Sequence, residues 1–395
     1  MKLLDVCEFI VDCPHSTAKD EGTGYPLIRT PNIGKGRLLL DSVHRVSEEV
    51  YNKRNARAVP KENDLIFARE APAGNVAIIR KNQKVCLGQR TVLLRPNTES
   101  VVPAYLNYFL LAPKQQYGLL GTANGATVAH VNIPTIRNLE INLPDIKTQH
   151  RIASILSAYD DLIENNQKQI KLLEEAAQRL YKEWFVDLRF PNYENTPVVD
   201  GVPEGWEKKT ILDMSAVLRR GISPKYNESG KYTVINQKCI RQTIMDIKES
   251  RKQEKEYASD MNLKDSDIVI CSTGSGTLGR VGQVFGDYPD TSFDSHVTLI
   301  RAKNAINVQF LFWALKNLQP LLMTLGQGST NQLELPKRVI ESYEIICPTD
   351  ELIKDFQFIV QPIHDKITSL VEIIKNATEA RDRLLPKLMS GELEV

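Results

Sequence analysis

Two segments of this 395-residue sequence carry the same heptad repeat of apolar residues, and this repeat limits how the chain can fold. In both segments the repeat positions are separated by alternating steps of four and three residues, and the segments are offset by a constant 204 residues (356 − 152 = 204). Two unrelated amphipathic helices would share no register, so the pattern predicts the seam of an antiparallel coiled coil. The seam positions are Ile152, Leu156, Tyr159, Ile163, Asn166, Ile170, Leu173, Ala177, Leu180 and Trp184 in the first segment, and Phe356, Val360, Ile363, Ile367, Leu370, Ile374, Ala377, Arg381, Leu384 and Leu388 in the second.

Each predicted helix has one polar residue in its seam. Asn166 and Arg381 could fix the register of the pair at a cost in stability, although simple exposure near a helix end would explain Arg381 equally well. Pro362 and Pro386 predict kinks or stops in the second helix. As a helix, the stretch from Ile152 to Trp184 would span roughly 50 Å.

The sequence that precedes each long helix is also repeated, which predicts one domain architecture present twice. Both copies show short strand-like runs and one short helix, so each is expected to be an α+β unit. The matching stretches are Asn63–Ile79 with Ser266–Val284, Leu93–Leu110 with Leu299–Leu315, and two segments that end at Pro144 and Pro348. The predicted strands are Leu65–Phe67, Val76–Ile79, Thr91–Leu94, Ile268–Cys271, Val281–Phe285 and Val297–Ile300, and the short helices lie near Pro103–Leu111 and Val308–Leu318.

The repeats and a Pro-, Asn- and Gly-rich stretch without periodicity set the expected domain boundaries. The predicted order is a first globular unit at 1–146, a first long helix at 147–187, a linker at 188–205, a second globular unit at 206–349, and a second long helix with the C-terminal region at 350–395.

Composition narrows the class of protein. Hydrophobic residues make up 42% of the chain, yet no apolar run approaches the roughly 18–20 residues of a membrane helix. Asp5, Glu8 and Asp12 interrupt the N-terminal segment where a signal peptide needs an apolar core, so a cytoplasmic protein is expected. The six cysteines and six histidines are dispersed without a Cys-x-x-Cys pair, so neither a disulfide framework nor a metal site is expected.

A glycine-rich loop at Gly274–Gly279 has the spacing G-x-G-x-x-G found in nucleotide-binding proteins. A dinucleotide fold needs a helix directly after the loop, but here a strand-like run follows. A kinase would need further lysine, H-R-D and D-F-G motifs that the sequence lacks. The first unit keeps only Gly74 at the corresponding place. The loop is therefore expected to be a hairpin connection in which glycine allows close approach of another molecule.

Four segments together resemble the specificity subunits of type I restriction–modification enzymes. Two long-helix segments are similar to the conserved regions of that family, "VPEGWE" resembles the usual beginning of its second target-recognition domain, and the glycine-rich stretch is similar to a recurrent segment of those domains. The first unit departs from the pattern because it lacks the Gly-Trp-Glu beginning and has a looser glycine loop. The segments are Gln149–Pro191, Val202–Glu207, Leu384–Leu393 and Asp267–Val284.

This resemblance implies a DNA-reading subunit without enzymatic activity, whose two target-recognition domains each read one half of a split, asymmetric target. It implies double-stranded DNA, two methyltransferase subunits and motor–nuclease subunits as partners. The chain itself would need no cofactor, since S-adenosylmethionine, ATP and magnesium would belong to the partners. The paired helices would act as a spacer that sets the distance between the half-sites. Two other classes stay open: a nucleotide-binding enzyme that uses Gly274–Gly279, and a coiled-coil scaffold without a DNA role.

The candidate DNA contacts are residues whose side chains can hydrogen-bond to base edges and that lie where the repeats diverge or on glycine-rich loops. In the first domain they are Arg69, Gln89, Arg90, Asn124, Thr127, His130 and Asn132, and in the second they are Arg219, Arg220, Lys225, Tyr226, Ser272, Thr273, Ser275, Arg280, Gln327, Ser329, Thr330 and Asn331.

Overall fold

The computed structural model describes residues 1–121, 130–328 and 333–395. The chain divides into two compact units, of which unit 1 comprises Met1–Glu164 with Lys375–Val395 and unit 2 comprises Asn165–Ile374. Unit 1 is therefore discontinuous in sequence, since the C-terminal segment completes it.

The part of unit 1 that precedes the first long helix is an α+β domain. Its strands are β1 (Cys7–Asp12), β2 (Tyr25–Ile28), β3 (Gly36–Arg37), β4 (Arg45–Val46), β5 (Leu65–Ala68), β6 (Val76–Ile78), β7 (Cys86–Leu87) and β8 (Thr91–Pro96), and its short helices are α1 (Glu48–Arg54), α2 (Pro103–Leu111), α3 (Pro113–Leu120) and α4 (Ile133–Arg137). The larger sheet has the order β1-β8-β5-β6-β3, and the smaller sheet has the order β4-β2-β7 with β2 and β7 parallel.

Strand β5 shows why these residues form a central strand. Its four residues are all buried, and they alternate between two cores, because Leu65 and Phe67 belong to one apolar cluster whereas Ile66 and Ala68 belong to another. Side chains of a strand point to opposite faces in turn. A short run without polar residues is therefore what a strand covered on both faces requires.

Unit 2 repeats this construction after the first long helix. The two long helices are α5 (Ile146–Tyr181) and α8 (Asp350–Ser390), and a π-helical turn at Lys182–Val186 follows α5. The short helices of unit 2 are α6 (Val308–Leu322) and α7 (Lys337–Glu341). Its strands are β9 (Val198–Val199), β10 (Val202–Pro203), β11 (Glu207–Thr210), β12 (Ser215–Arg220), β13 (Tyr232–Ile235), β14 (Arg251–Gln253), β15 (Ile268–Cys271), β16 (Val281–Gln283), β17 (Thr291–Phe293), β18 (Val297–Ala302) and β19 (Glu344–Cys347).

The sheet order of unit 2 matches that of unit 1 except that its larger sheet has no strand equivalent to β3. Its larger sheet has the order β12-β18-β15-β16, and its smaller sheet has the order β14-β13-β17 with β13 and β17 parallel. The predicted duplication is thus visible in the strand pairing as well as in the sequence. Several bounds differ from the prediction by a few residues. In unit 2, β16 ends at Gln283 rather than Phe285, β18 continues to Ala302 rather than ending at Ile300, and α6 continues through Pro320 to Leu322.

The segment predicted to be a linker carries the β9–β10 hairpin and packs on the core of unit 2 through the side chains of Leu188, Phe190 and Val202. Phe190 is buried, and its ring lies 5.2 Å from that of Trp206, centroid to centroid. The stretch between the long helix and the second domain is therefore attached to the domain that follows it.

Helices α5 and α8 pair within each unit, and the pairing is antiparallel. In unit 1, Ile152 and Leu156 share a core with Leu388 near the end of α8. In unit 2, Trp184 lies 6.0 Å from Phe356 near the start of α8, measured between ring centroids. All the predicted seam positions are buried or half-buried. The fold class predicted from the sequence, two α+β domains with two long antiparallel helices, is confirmed.

The two polar seam residues have different surroundings. Arg381 is not simply exposed near a helix end, because its Nη1 donates to Asp160 Oδ1 at 2.6 Å. Tyr108 Oη donates to the other oxygen of the same carboxylate at 2.6 Å, and burial, together with this carboxylate, raises the pKa of Tyr108. Asn166 is buried, and its Nδ2 has no hydrogen-bond partner among the residues described.

The prediction that a proline would stop the second helix is wrong, since α8 continues through Pro362 and Pro386. A proline removes one backbone hydrogen bond, to the carbonyl four residues earlier. The carbonyl that loses its donor belongs to Phe358, four residues before Pro362. Both residues lie on the exposed side of the helix. Water can bond to the carbonyl there, while the apolar seam on the other side holds the helix in place.

Replacing Arg381 with alanine should lower the free energy of unfolding of unit 1 by about 3 kcal/mol, because Asp160 would stay buried without its cation. Urea denaturation of the full chain measures this loss. Arg383→Ala is the matched control, since Arg383 exposes 77% of its side chain and pairs with Glu379 on its own helix. That exposed pair should contribute less than about 1 kcal/mol. Equal losses in the two variants would contradict the assigned role of Arg381.

Candidate nucleic-acid interface

In unit 1, five charged or titratable side chains meet where β1 and β5 end and β8 begins. We call Asp12, Arg69, Glu70, Arg90 and His130 the unit 1 cluster. Arg69 Nη1 lies 3.2 Å from Asp12 Oδ1, and its Nη2 lies 2.9 Å from His130 Nε2. Glu70 joins the other two residues, with Oε1 at 2.6 Å from His130 Nδ1 and Oε2 at 2.8 Å from Arg90 Nη1.

The contacts of the unit 1 cluster determine which ring nitrogen of His130 carries the hydrogen. Because Arg69 can only donate, His130 Nε2 must accept, and His130 Nδ1 then donates to Glu70. Each cation is held by a carboxylate or an imidazole, so the side chains are oriented before any ligand arrives. The cluster presents both hydrogen-bond donors and carboxylate acceptors at the edge of the sheet.

In unit 2, a second group of polar side chains lies at the corresponding sheet edge. We call Arg220, Gln237, Thr273, His296 and Glu334 the unit 2 cluster. Arg220 Nη1 lies 2.8 Å from Glu334 Oε1, and Thr273 Oγ1 lies 2.6 Å from His296 Nδ1. Thr273 Oγ1 also donates to Gln237 Oε1 at 3.3 Å.

Backbone hydrogen bonds show that the two clusters occupy equivalent positions. In unit 1, Arg69 N donates to Arg90 O at 2.9 Å; in unit 2, Ser272 N donates to His296 O at 2.8 Å. A second pair of bonds, from the amides of Val131 and Leu335, then ends on the carbonyls of Arg69 and Ser272, respectively.

The same backbone frame therefore carries different side chains in the two units. Asp12 is replaced by Arg220, and His130 is replaced by Glu334, so charge changes at both places. Arg90 is replaced by His296. The two edges offer related geometry with different patterns of donors, acceptors and charge.

A cleft adjoins each cluster. The unit 1 cleft has a volume of about 270 Å³ and is lined by Arg29, Arg54, Gln89 and Arg90 together with small and hydroxyl-bearing residues. It borders the unit 1 cluster because Arg90 belongs to both. The cleft thus extends the polar surface along the smaller sheet.

The unit 2 cleft has a volume of about 410 Å³, and its lining mixes cations and acids. Arg251 lies on the ring of Tyr226, with its guanidinium carbon 3.6 Å from the ring centroid. Burial raises the pKa of Asp294. The backbone N–H and the charge of His296 act in the opposite direction. The cleft is also lined by Gln237, Lys238, Lys248 and Glu249.

The glycine-rich loop is a hairpin connection between β15 and β16, as predicted. Gly274, Gly276 and Gly279 all have positive φ. A Cβ on Gly279 would come within 2.5 Å of Met323 N, so the loop backbone lies directly on the end of α6. The element that follows the loop is a strand, so this loop does not provide the helix N-terminus that holds a dinucleotide pyrophosphate.

Part of the predicted DNA-contacting set meets in the two clusters and clefts. These residues are Arg69, Gln89, Arg90, His130, Arg220, Tyr226 and Thr273. The predicted residues Asn124, Thr127, Ser329, Thr330 and Asn331 lie outside the described residues.

The side chains of the other predicted residues are not part of the clusters or clefts, although the backbone of Gln327 pairs with that of Glu334. Arg219 pairs with Asp260, and Lys225 pairs with Glu254. Ser272 is fully buried with its hydroxyl 2.6 Å from that of Thr298, and this geometry removes it from our candidates. The remaining four are the exposed Asn132 and Ser275, the half-buried Arg280, and Gln327, which accepts from Arg338.

Sequence reasoning missed several residues of the two surfaces. An alignment of "YPLIRTPN" at 25–32 with "YTVINQKC" at 232–239 would have indicated those that follow β2 and β13, because both stretches start a strand and then diverge. The predicted set contains no carboxylates, because its base contacts are basic, amide and hydroxyl side chains. The missed residues are Asp12, Arg29, Arg54, Glu70, Gln237, Lys238, Lys248, Arg251, His296 and Glu334.

The described part of the chain shows neither a metal-binding group nor a membrane-spanning helix. Within it, no group of three or more His, Cys, Asp or Glu side chains could hold a metal ion. No described helix is both long and apolar enough to cross a membrane.

Comparison with known proteins agrees with the duplicated architecture. The family model described as "Type I restriction modification DNA specificity domain" matches residues 1–175 and 203–378. The specificity subunit of the type I restriction enzyme MjaIX of Methanocaldococcus jannaschii is 28% identical over 364 residues, which cover 89% of this chain and 82% of that protein. The HindI specificity subunit of Haemophilus influenzae is 24% identical over 418 residues, covering 86% of this chain and 88% of that protein.

A solved structure shares the fold. The S subunit of a type I restriction–modification system from M. genitalium aligns with a TM-score of 0.58 at 17% identity, covering 98% of this chain and 95% of that one. Two copies of one α+β domain, each with its own polar edge, define a class of protein with two related recognition surfaces. The chain belongs to the type I restriction–modification DNA specificity family and carries two copies of the family's domain. The family resemblance stated from the sequence is confirmed.

Gly279→Ala should destabilise unit 2 more than Gly276→Ala. Both residues have φ of +75°, a conformation that costs a residue with a side chain about 1–2 kcal/mol. At Gly279 the new methyl would also meet Met323 N and Leu322 C at 2.5 and 2.6 Å, whereas no described atom lies within 4 Å of a Cβ at Gly276. Thermal unfolding of the two variants compares these costs. Similar melting temperatures would show that close packing on α6 does not fix the loop.

Proposed function

We propose that this chain is the sequence-reading subunit of a type I restriction–modification complex and that it recognises a bipartite, asymmetric DNA target. The unit 1 cluster reads one half-site, and the unit 2 cluster reads the other. The observation that carries this proposal is the shared backbone frame with different side chains. Identical readers would favour a symmetric target, whereas diverged readers suit two different half-sites.

The side chains in the clusters suit base recognition. Arginine can donate two hydrogen bonds to guanine, glutamine can pair with adenine, and a carboxylate can accept from the amino group of cytosine. The unit 1 cluster offers Arg69, Arg90 and Glu70, and the unit 2 cluster offers Arg220 and Gln237. The pairing within each cluster orients these groups, which lowers the entropy lost when DNA binds.

The charge of the chain suggests that it does not bind DNA tightly alone. Fifty basic and forty-nine acidic residues give a net charge of +1. Phosphate neutralisation by basic residues supplies most of the non-specific affinity for DNA. We therefore infer that methyltransferase subunits, which dock on this chain, contribute further backbone contacts. Catalysis and its cofactors belong to these subunits and to the motor–nuclease subunits.

Co-expression of the chain with its methyltransferase subunit, followed by mapping of methyladenine across the host DNA, tests the proposal. The expected result is methylation at one motif with two different specified halves separated by unspecified base pairs. Omitting the chain should abolish that pattern. Methylation without sequence preference, or none with a competent methyltransferase, would instead favour a scaffold.

Arg90→Ala and His296→Ala should each relax a different half of the motif. The two residues occupy equivalent positions, so each variant is the matched control for the other. Loss of a base contact should cost about 1–3 kcal/mol at the affected base pair. Methylation maps of the two variants would show new bases tolerated in one half and an unchanged second half. If both variants altered the same half, the assignment of one half-site to each unit would be wrong.

We also propose that the lengths of α5 and α8 set the number of unspecified base pairs. The helices contain 36 and 41 residues. At 1.5 Å per residue, α5 alone is roughly 54 Å long. Two readers that contact one duplex at the same time must keep a fixed separation along its axis. A continuous helix that contributes to both units can hold such a spacing.

Insertion of one heptad into both helices, after Glu164 and after Ile374, should lengthen the gap by about three base pairs without changing the specified bases. Seven residues add roughly 10 Å of helix, and base pairs are stacked about 3.4 Å apart. Methylation mapping measures the gap. Insertion into α5 alone is the control, because it breaks the seam register and should abolish specific methylation. An unchanged gap in the double insertion would refute the spacer proposal.

A further inference from the structure

The unit 1 cleft has an unusual excess of positive charge. Three arginines line it, Arg29, Arg54 and Arg90, and no carboxylate is found among its lining residues. Ser16 and Thr17 also line this space. Of the three arginines, Arg90 is already paired with a carboxylate outside the cleft. The lining therefore does not compensate the charges of Arg29 and Arg54, although Asp20, outside the lining, interacts electrostatically with Arg29.

Arg54 is buried and bonded to neutral groups. Its Nε donates to Leu87 O at 2.6 Å, Nη1 donates to Ser16 O at 3.0 Å, and Nη2 lies 3.4 Å from Pro14 O. Only 6% of the residue is exposed. The carbonyls satisfy its donors without cancelling its charge, and a buried charge without a counter-ion is costly. An anion in the cleft would lower that cost.

Arg29 borders the same space with a donor left unused. Its Nε is buried and has no hydrogen-bond partner in the described part of the structure. A Cβ on Gly88 would come within 2.9 Å of Arg29 Cγ, so the missing side chain at Gly88 leaves room for the stem of Arg29. Buried donors are normally satisfied, so this one points to an additional partner.

The unit 2 cleft lacks this character. Asn236 stands where Arg29 stands in unit 1, and its amide is committed to the backbone through Lys238 N and Glu249 O. Glu249 and Asp294 also belong to that lining. The excess of positive charge is thus a property of the unit 1 cleft rather than of the shared fold.

We propose that the unit 1 cleft binds a phosphate group of the DNA backbone, with Arg29 as the principal contact and Arg54 as the buried charge behind it. This inference rests on the proposed function, because that function brings DNA to this edge. Phosphate fits better than a base because the cleft offers cations and hydroxyl donors without lining carboxylates. Contacts to phosphate position a protein on DNA without reading sequence. The cleft therefore sets the register in which the unit 1 cluster meets its bases.

The test uses the complex of the full chain with its methyltransferase and a duplex that carries the mapped target. Fluorescence anisotropy at a series of KCl concentrations gives the slope of log affinity against log salt. Arg29→Gln should make this slope shallower by about 0.9, the value for one phosphate contact. It should also weaken binding by the same factor for the target and its single-base variants. Lys81→Gln is the control, since it removes one charge from an exposed lysine outside the cleft lining and should leave the slope unchanged.

A second arm does not depend on the folding of a variant. Duplexes with a single methylphosphonate at successive positions remove one backbone charge at a time from the ligand of the wild-type complex. One position in or beside the unit 1 half-site should reproduce the change in slope, and Arg29→Gln should then be insensitive to that substitution. A melting scan of the full chain with inorganic phosphate tests the free anion as the alternative source.

The outcomes separate the possibilities. Relaxed specificity at one base pair, with an unchanged slope, would overturn the phosphate assignment in favour of base reading. Loss of phosphate-dependent stabilisation in Arg29→Gln, with DNA binding unaffected, would make the cleft a free-anion site and overturn the DNA assignment. If wild type and Arg29→Gln gave equal salt slopes and equal stabilisation by phosphate, the cleft would not be a phosphate-binding site. In all three cases a specific wild-type complex preserves the proposed function, which fails only if the wild type shows no sequence preference.

Discussion

The antiparallel pairing of α5 and α8 is the constraint on which both units depend. Leu388 completes the core that contains Ile152, and Arg381 reaches Asp160 across a sequence separation of 221 residues. Closing a loop of that size carries an entropic cost that local contacts do not repay. The core of unit 1 therefore cannot be finished until the C-terminal helix is present. The seam links the last part of the chain to the stability of the first domain.

The second constraint is a backbone frame that tolerates changes in its side chains. The bonds that hold the cluster loops run between main-chain amides and carbonyls, as in the pairing of Arg69 with Arg90 and of Ser272 with His296. Such bonds form whatever the side chains are. Mutation can therefore replace Arg90 by a histidine, or Asp12 by an arginine, without changing the sheet. A duplicated domain can diverge in what it recognises while its fold is kept.

The sequence predicted those features that depend on periodicity and missed those that depend on contacts across the fold. The seam, the β15–β16 hairpin and most strand positions followed from apolar spacing around residues such as Leu156 and Ile268. The bond between Arg381 and Asp160 could not be predicted, because it joins residues that only the pairing of two helices brings together. Periodicity also gave no warning that the exposed side of α8 tolerates Pro362. The clusters could not be predicted from the sequence, because the acids that orient their arginines look like ordinary surface residues.

If the clusters contact bases as we propose, their acids contribute to specificity. Glu70 holds Arg90 at 2.8 Å and His130 at 2.6 Å, so a base that binds Arg90 must offer acceptors good enough to replace or share that carboxylate. Guanine presents two acceptors in the major groove and can do so, whereas a base that leaves a carboxylate facing a lone pair is disfavoured. Discrimination then comes as much from rejecting wrong partners as from binding the right one. A nearly neutral chain with paired cluster cations suits this task, because excess positive charge would raise affinity for every sequence alike.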